Sequence, residues 1–213
     1  MRYKLVIFDL DGTLMDTSAG ILMSVKDTIK EYNMPELDEE QIKSFIGPPI
    51  QWSFEAQYMI SSTEAQRMAD TFRELYSTKH LFSALPYPGI YELLKTLRDN
   101  GVRLAVATYK REDYAIRLLK HFHFDEFINI MYGGDNEGNL KKRDIIKKCI
   151  DAAGINKMNQ IVMVGDTIHD ANGADALGMS FIGVSYGFGF NDEDAKKMSA
   201  ICTTAEDILK YIK

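Results

Sequence analysis

Apolar residues along the chain fall into two patterns. Five short runs are almost continuously apolar: residues 4–8 (KLVIF), 103–108 (RLAVAT), 127–133 (FINIMYG), 160–166 (QIVMVGD) and 180–185 (SFIGVS). A strand that reads this way, without alternation, needs cover on both faces, as in a parallel sheet. Between these runs lie helical patterns at 89–101, 112–122, 142–154 and 169–178, three of them ending at a glycine suited to a C-terminal cap. The alternation predicts a doubly wound, Rossmann-like α/β fold, whose ligands bind beyond the carboxyl ends of the strands.

One interval breaks the rhythm. From Asp16 to about Ser83 no run reads as a strand, whereas 18–33, 38–47, 50–60 and 62–82 read as helices. The simplest reading is an all-helical cap of residues 16–84 inserted after the first strand, with a core of residues 1–15 and 85–213. The chain returns through ALPYPG (84–89), where two prolines favour an extended, hinge-like passage. The last stretch, TTAEDILKYIK, reads as a closing helix capped by Thr203 or Thr204.

Composition narrows the class. The 213 residues carry a net charge of -6 and are 46% hydrophobic, with a mean hydropathy of -0.21, as in ordinary globular proteins. That charge offers nucleic acid no general attraction, so an acidic protein handling an anionic substrate must concentrate positive charge locally. Cys149 and Cys202 lie far apart in apolar contexts and read as buried free thiols. The first apolar run is far too short for a membrane span, and the expected compartment is the cytoplasm.

The candidate chemistry falls at strand ends: Asp9 and Asp11 after the first run, Thr108 with Lys110 after the second, Lys141 or Lys142 opening a helix after the third, and Asp166 with Asp170 after the fourth. In a parallel sheet these ends meet at one rim, where the carboxylates would repel one another without a cation. Carboxylate oxygens without histidine or cysteine suit Mg²⁺.

DLDGTLMDT at Asp9, VAT ending at Thr108, the lysine of KKRDII and VGDTIHD from Asp166 to Asp170 resemble the four motifs of the haloacid dehalogenase superfamily of phosphohydrolases, in its helical-cap branch. The resemblance covers essentially the whole chain. It implies that Asp9 is a nucleophile forming an aspartyl-phosphate, and that Asp11 is the acid and then the base. It also implies Mg²⁺ held by Asp9, the Asp11 carbonyl and Asp166 with Asp170 in support, Thr108 as a donor to phosphate, and the lysine as a neutraliser of charge. Lys142 keeps the helix register, with Lys141 as the fallback. Gly12 lets the chain turn so that Asp11 reaches past the phosphoryl group.

The pattern departs from the family at Tyr109, where an asparagine is usual at a substrate-contacting position. In related caps a Gly-Pro loop faces the active site, which makes Gly47 and Lys43 candidate substrate contacts. Lys110 and Arg111 read either as an exposed basic helix start or as ligands for a second anionic group. The overall resemblance is to phosphoglycolate phosphatases, which SYGFG (185–189) also resembles, implying a Mg²⁺-dependent hydrolase of a small phosphorylated metabolite, monomeric or homodimeric. A 5'-nucleotidase or a β-phosphoglucomutase-like sugar-phosphate enzyme is the enzymatic alternative. A phospho-receiver-like signalling domain is the alternative outside enzymes.

Overall fold

The structure, a computed structural model, describes residues 1–190 and 200–213. Strand β1 (Leu5–Phe8) lies at its centre with all four side chains fully buried. Successive side chains of a strand point to opposite faces, and β1 divides accordingly. Val6 and Phe8 join one apolar cluster, Leu5 and Ile7 another. This is the physical reason for the unbroken apolar runs: each strand serves two cores.

The sheet continues with β4 (Arg103–Arg111) and β5 (Ile130–Gly134) on one side of β1, and with β6 (Ile161–Gly165), β7 (Ser180–Val184) and β8 (Ile201–Cys202) on the other. The order is β5-β4-β1-β6-β7-β8, and every pairing is parallel. Helices α5 (Ile90–Asp99) and α6 (Glu112–His121) and the closing helix α9 (Ile208–Ile212) bury their apolar residues against the Val6 face, α7 (Lys142–Ala153) and α8 (Ile168–Asp175) against the Leu5 face. Strand order reverses at β1, flanked by β4 and β6, so the rim beyond these three strands is the crevice where ligands of doubly wound sheets bind.

Between β1 and β4 the chain forms α1 (Ser18–Glu31), α2 (Glu39–Lys43), α3 (Ile50–Tyr58) and α4 (Ser62–Leu75), the last continued by a π-helical turn, Tyr76–His80. Helices α2 and α4 start at capping boxes, Asp38 with Gln41 and Ser61 with Glu64. Helix α2 is half as long as its pattern predicts, because Gly47, Pro48 and Pro49 follow it and Gly47 sits at φ +107°. The extended passage at residues 84–89 forms part of a ribbon: β2 (Met15–Asp16) pairs antiparallel with β3 (Leu85–Pro86). The chain thus leaves and re-enters the sheet domain through two adjacent strands. Each is two residues long, too short to show a period in the sequence. At the C-terminus, Thr204 and Asp207 exchange the capping bonds, but the helix begins only at Ile208.

Both cysteines are buried, and burial pushes each thiol up to about 12. Among the described residues no helix is long and apolar enough to cross a membrane.

Inside the insert, Phe54 is fully buried and meets the Phe45 ring edge-on at 4.9 Å. Phe54→Ala is expected to cost about 3–5 kcal/mol in urea denaturation, and a loss below about 1 kcal/mol would show that this aromatic pair is not what holds the insert together.

Candidate active site

The four strand-end groups converge as their order requires. Asp9 directly follows β1 and its N–H donates to the Val164 carbonyl of β6. Asp166 directly follows β6. Asp170 lies one turn into α8, where its Oδ2 accepts from both the N–H and the hydroxyl of Thr167. Asp9, Asp166 and Asp170 are all buried and present carboxylate oxygens within 4.8 Å of one another. Lys142, in the first turn of α7, reaches into this group: its Nζ lies 2.6 Å from Asp9 Oδ1 and 2.7 Å from Asp170 Oδ1. Lys141 is exposed at the N-cap position, where its backbone N–H donates to Asp144 Oδ2 at 3.0 Å.

The charges do not balance. Three buried carboxylates face one buried ammonium, which leaves two negative charges. Burial first, and then the Asp170 charge, push the Asp166 carboxyl up to about 7, against the Phe188 N–H and the Thr13 hydroxyl. Burial likewise raises Asp9 well above the usual carboxylate range, with Lys142 opposing. Burial works against the charge of Lys142 as well, but Asp170 and Asp9 outweigh it and hold the lysine protonated. Asp170 Oδ1 touches the ammonium as an ion pair, yet among the described residues no donor meets it in hydrogen-bond geometry. A hard divalent cation would match the missing charge and the all-oxygen donor set. The residues present therefore fit Mg²⁺.

Asp166 is held from two sides. Thr13 donates to Oδ1 at 3.2 Å and the Phe188 N–H to Oδ2 at 2.8 Å. Gly12 sits at φ +84°, and a Cβ there would lie 2.1 Å from Asp166 Oδ2. Both the conformation and the close approach require glycine. SYGFG is likewise a bracket for Asp166: Tyr186 donates its hydroxyl to the Thr13 carbonyl, and a Cβ on Gly187 would lie 2.1 Å from the Gly12 oxygen.

The Asp11 side chain points elsewhere. It accepts from the Thr17 hydroxyl and pairs at 2.9 Å with Lys110, which is buried rather than on an exposed helix start. Burial opposes the Lys110 charge, but Asp11 outweighs it and raises the lysine above its usual range. The Lys110 ammonium also lies 4.7 Å from the ring centre of Tyr76, from the insert. Of the four acids expected around a metal, Asp11 is the one whose carboxylate stays outside the cluster.

Thr108 is buried at the rim, its Oγ1 accepting from the Lys110 N–H. Tyr109 lines the same cavity and buttresses Lys142: its hydroxyl accepts from the Lys142 N–H at 3.1 Å, and its ring packs edge-on against His169. Gly47 lines the cavity over Thr167, whereas Lys43 is exposed and faces a separate groove between α1 and α2. Gln51, Arg73 and Tyr76 of the insert also line the cavity, and the sequence reading omitted them. A signal for Arg73 existed: it falls among Ala65, Met68, Ala69 and Phe72 on the buried stripe of α4, an uncommon place for a charged side chain.

Comparison with known proteins agrees with this geometry. The family model described as haloacid dehalogenase-like hydrolase matches residues 6–184. A 5'-nucleotidase of Pseudomonas aeruginosa is 35% identical over 194 residues, 91% of this chain and 87% of its own. A phosphoglycolate phosphatase of Haemophilus influenzae is 27% identical and covers 89% of each chain. A solved structure described as a predicted phosphatase from Clostridium acetobutylicum superposes with a TM-score of 0.92 at 32% identity, over 100% of this chain and 99% of that one. With the family match spanning most of its length, this protein belongs to the haloacid dehalogenase-like hydrolases and is one of their phosphatases.

Proposed function

We propose that the protein is a Mg²⁺-dependent phosphomonoester hydrolase of a small phosphorylated metabolite, working through an aspartyl-phosphate on Asp9, with residues 16–84 acting as a cap over the rim. The observation that carries this reading is the contact of Lys142 Nζ with Asp9 Oδ1 at 2.6 Å inside a buried group of acids. A buried carboxylate becomes a nucleophile only if it is kept ionised, and an adjacent ammonium favours that form.

The steps balance as two displacements. An Asp9 oxygen attacks phosphorus while the ester oxygen departs with the bonding pair and takes a proton from Asp11. Water then attacks the phosphorus of the aspartyl-phosphate and gives its proton to Asp11, and the Asp9 carboxylate leaves with its electrons restored. Asp11 reaches the ester oxygen only by turning from Thr17 and Lys110, and its place beside the β2–β3 ribbon favours coupling that turn to movement of the cap. Thr108 is positioned to donate to a phosphoryl oxygen, and Lys142 neutralises charge there. Asp9, Asp166 and the Asp11 carbonyl would hold the ion, with Asp170 in support. Once bound, Mg²⁺ supplies positive charge to the phosphoryl oxygens.

Asp9→Asn is expected to lower kcat on p-nitrophenyl phosphate by at least roughly 1,000-fold with the fold intact by circular dichroism. Full activity in that variant would overturn the nucleophile assignment.

The raised Asp166 value gives a second expectation. Between an ordinary unfolded value of about 4 and the folded value of about 7, the folded protein holds a proton that the unfolded chain has lost. The resulting stability is complete below about pH 4 and is lost as pH rises through about 7. In chelator the thermal midpoint should therefore fall across this window, and the gain from added Mg²⁺ should grow with pH. A Mg²⁺ effect equal at pH 5 and pH 8 would count against a metal site at Asp166.

A further inference from the structure

Among the described residues four basic side chains line the cavity, and they are not equivalent. Lys142 and Lys110 each pair with a buried or nearly buried carboxylate. Arg73, from α4 of the insert, and Arg111, at the end of β4, do not. Arg73 is itself buried, but its carboxylate partner Asp70 is 54% exposed, and Asp113, the partner of Arg111, is 55% exposed. Asp113 meets Arg111 in a bidentate pair at 2.6 and 2.7 Å, so both balancing carboxylates approach from the outer side while Arg73 and Arg111 line the cavity.

The two arginines belong to one network. Arg73 donates to Asp70 Oδ1 at 2.9 Å and to Gln51 Oε1 at 3.0 Å, and Arg111 donates to Asn136 Oδ1 at 3.2 Å. Asn136 in turn approaches Asp70 at 3.5 Å, and Gln51 donates to the Glu137 carbonyl at 2.8 Å. The Arg111 guanidinium lies over the Tyr114 ring at 3.9 Å, which fixes its plane. Of the five guanidinium N–H groups of Arg73, two are engaged among the described residues. Burial, and then the Arg111 charge, weigh against its cationic form, with Asp70 opposing them. Two arginines lining one cavity, Arg73 buried and Arg111 half-buried, with their carboxylate partners on the exposed side, form a receptor for an anion.

We infer that Arg73 and Arg111, steadied by Gln51 and Asn136, form a second anion subsite in the cavity, so that the substrate is a phosphate compound whose leaving group carries its own carboxylate or phosphate. This rests on the phosphatase reading above and adds the substrate class to it. The subsite joins the insert to the loop after β5, so it is complete only when the insert sits over the rim. Arg73 acts here as a specificity-determining residue, with no part in the bond-breaking steps.

The test compares kcat/KM with Mg²⁺ for phosphoglycolate and pyrophosphate, which carry a second anion, with ethyl phosphate, p-nitrophenyl phosphate and adenosine monophosphate, which do not. A subsite of one buried and one half-buried guanidinium should favour the better of the first two over ethyl phosphate by roughly 100-fold or more. Which one wins identifies the anion as carboxylate or phosphate, and either outcome supports the inference. Arg73→Met should bring the preference to within about tenfold, mainly through KM, and Arg73→Lys should restore part of it. Arg111→Gln should act in the same direction, which provides an independent measurement if the Arg73→Met protein melts early. A wild-type enzyme without the preference, fastest turnover of adenosine monophosphate, or a preference unchanged in both folded variants would overturn the subsite alone. Absence of turnover on all five compounds would remove the phosphatase reading and the subsite with it.

Discussion

The Lys142 ammonium, shared between Asp9 and Asp170, is the contact on which the rim depends. Taking an ammonium and several carboxylates out of water costs several kcal/mol per ion, and that cost is recovered only if each charge is delivered to its partners at short range. The delivery is structural. Helix α7 starts where Tyr109 accepts from the Lys142 N–H, and Tyr109 is in place because β4 runs on to Arg111 instead of stopping at Thr108. On the other side, Gly173 of α8 lets that helix approach the lysine stem, since a Cβ there would lie 3.1 Å from Lys142 Cγ. The approach of two helices and the extension of one strand thus set the electrostatics around Asp9.

Asp166 depends on backbone rather than on charge. The turn at Gly12 and the loop at Gly187 approach so closely that neither tolerates a side chain, and both abut the same carboxylate. The donors that hold it, Thr13 and the Phe188 N–H, come from these two loops. The SYGFG segment after β7 therefore orients an acid at the end of β6 although residues 185–189 carry no acidic side chain. An amide and a hydroxyl fix the direction of the carboxylate but leave most of its charge unmet, which is the condition under which a cation is held firmly.

The parts of this arrangement that were legible in the sequence are those with a period or a sharp change of polarity. Buried strands in a sheet covered on both faces must be apolar throughout, so β1, β4, β6 and β7 stood out, and an acid directly after such a run, as at Asp9 and Asp166, could hardly be misread. Features defined by long-range approach left no such trace. The β2–β3 ribbon is two residues a side. Lys110 looked like a solvated lysine because nothing local announces Asp11 and Tyr76 around it. Lys43 looked well placed beside Gly47, but α2 turns it towards a different groove. Arg73 falls on the buried stripe of α4, but a stripe position does not tell an arginine turned into a cavity from one whose stem covers the apolar face while its head reaches solvent.

These two kinds of residue separate reaction from recognition. The acids and Lys142 sit where a doubly wound sheet forces its strand ends together, so any chain that keeps the fold and those few residues keeps the rim. The residues over the rim, Gln51, Arg73 and Tyr76, come from helices whose folding demands only an apolar stripe, and a change at one of them leaves the core sheet intact. Relatives named 5'-nucleotidase and phosphoglycolate phosphatase are accordingly both similar to this chain, over 91% and 89% of its length. The family match, over residues 6–184, follows the scaffold and its strand ends, whereas Gln51, Arg73 and Tyr76 line the cavity from helices that the sheet does not constrain.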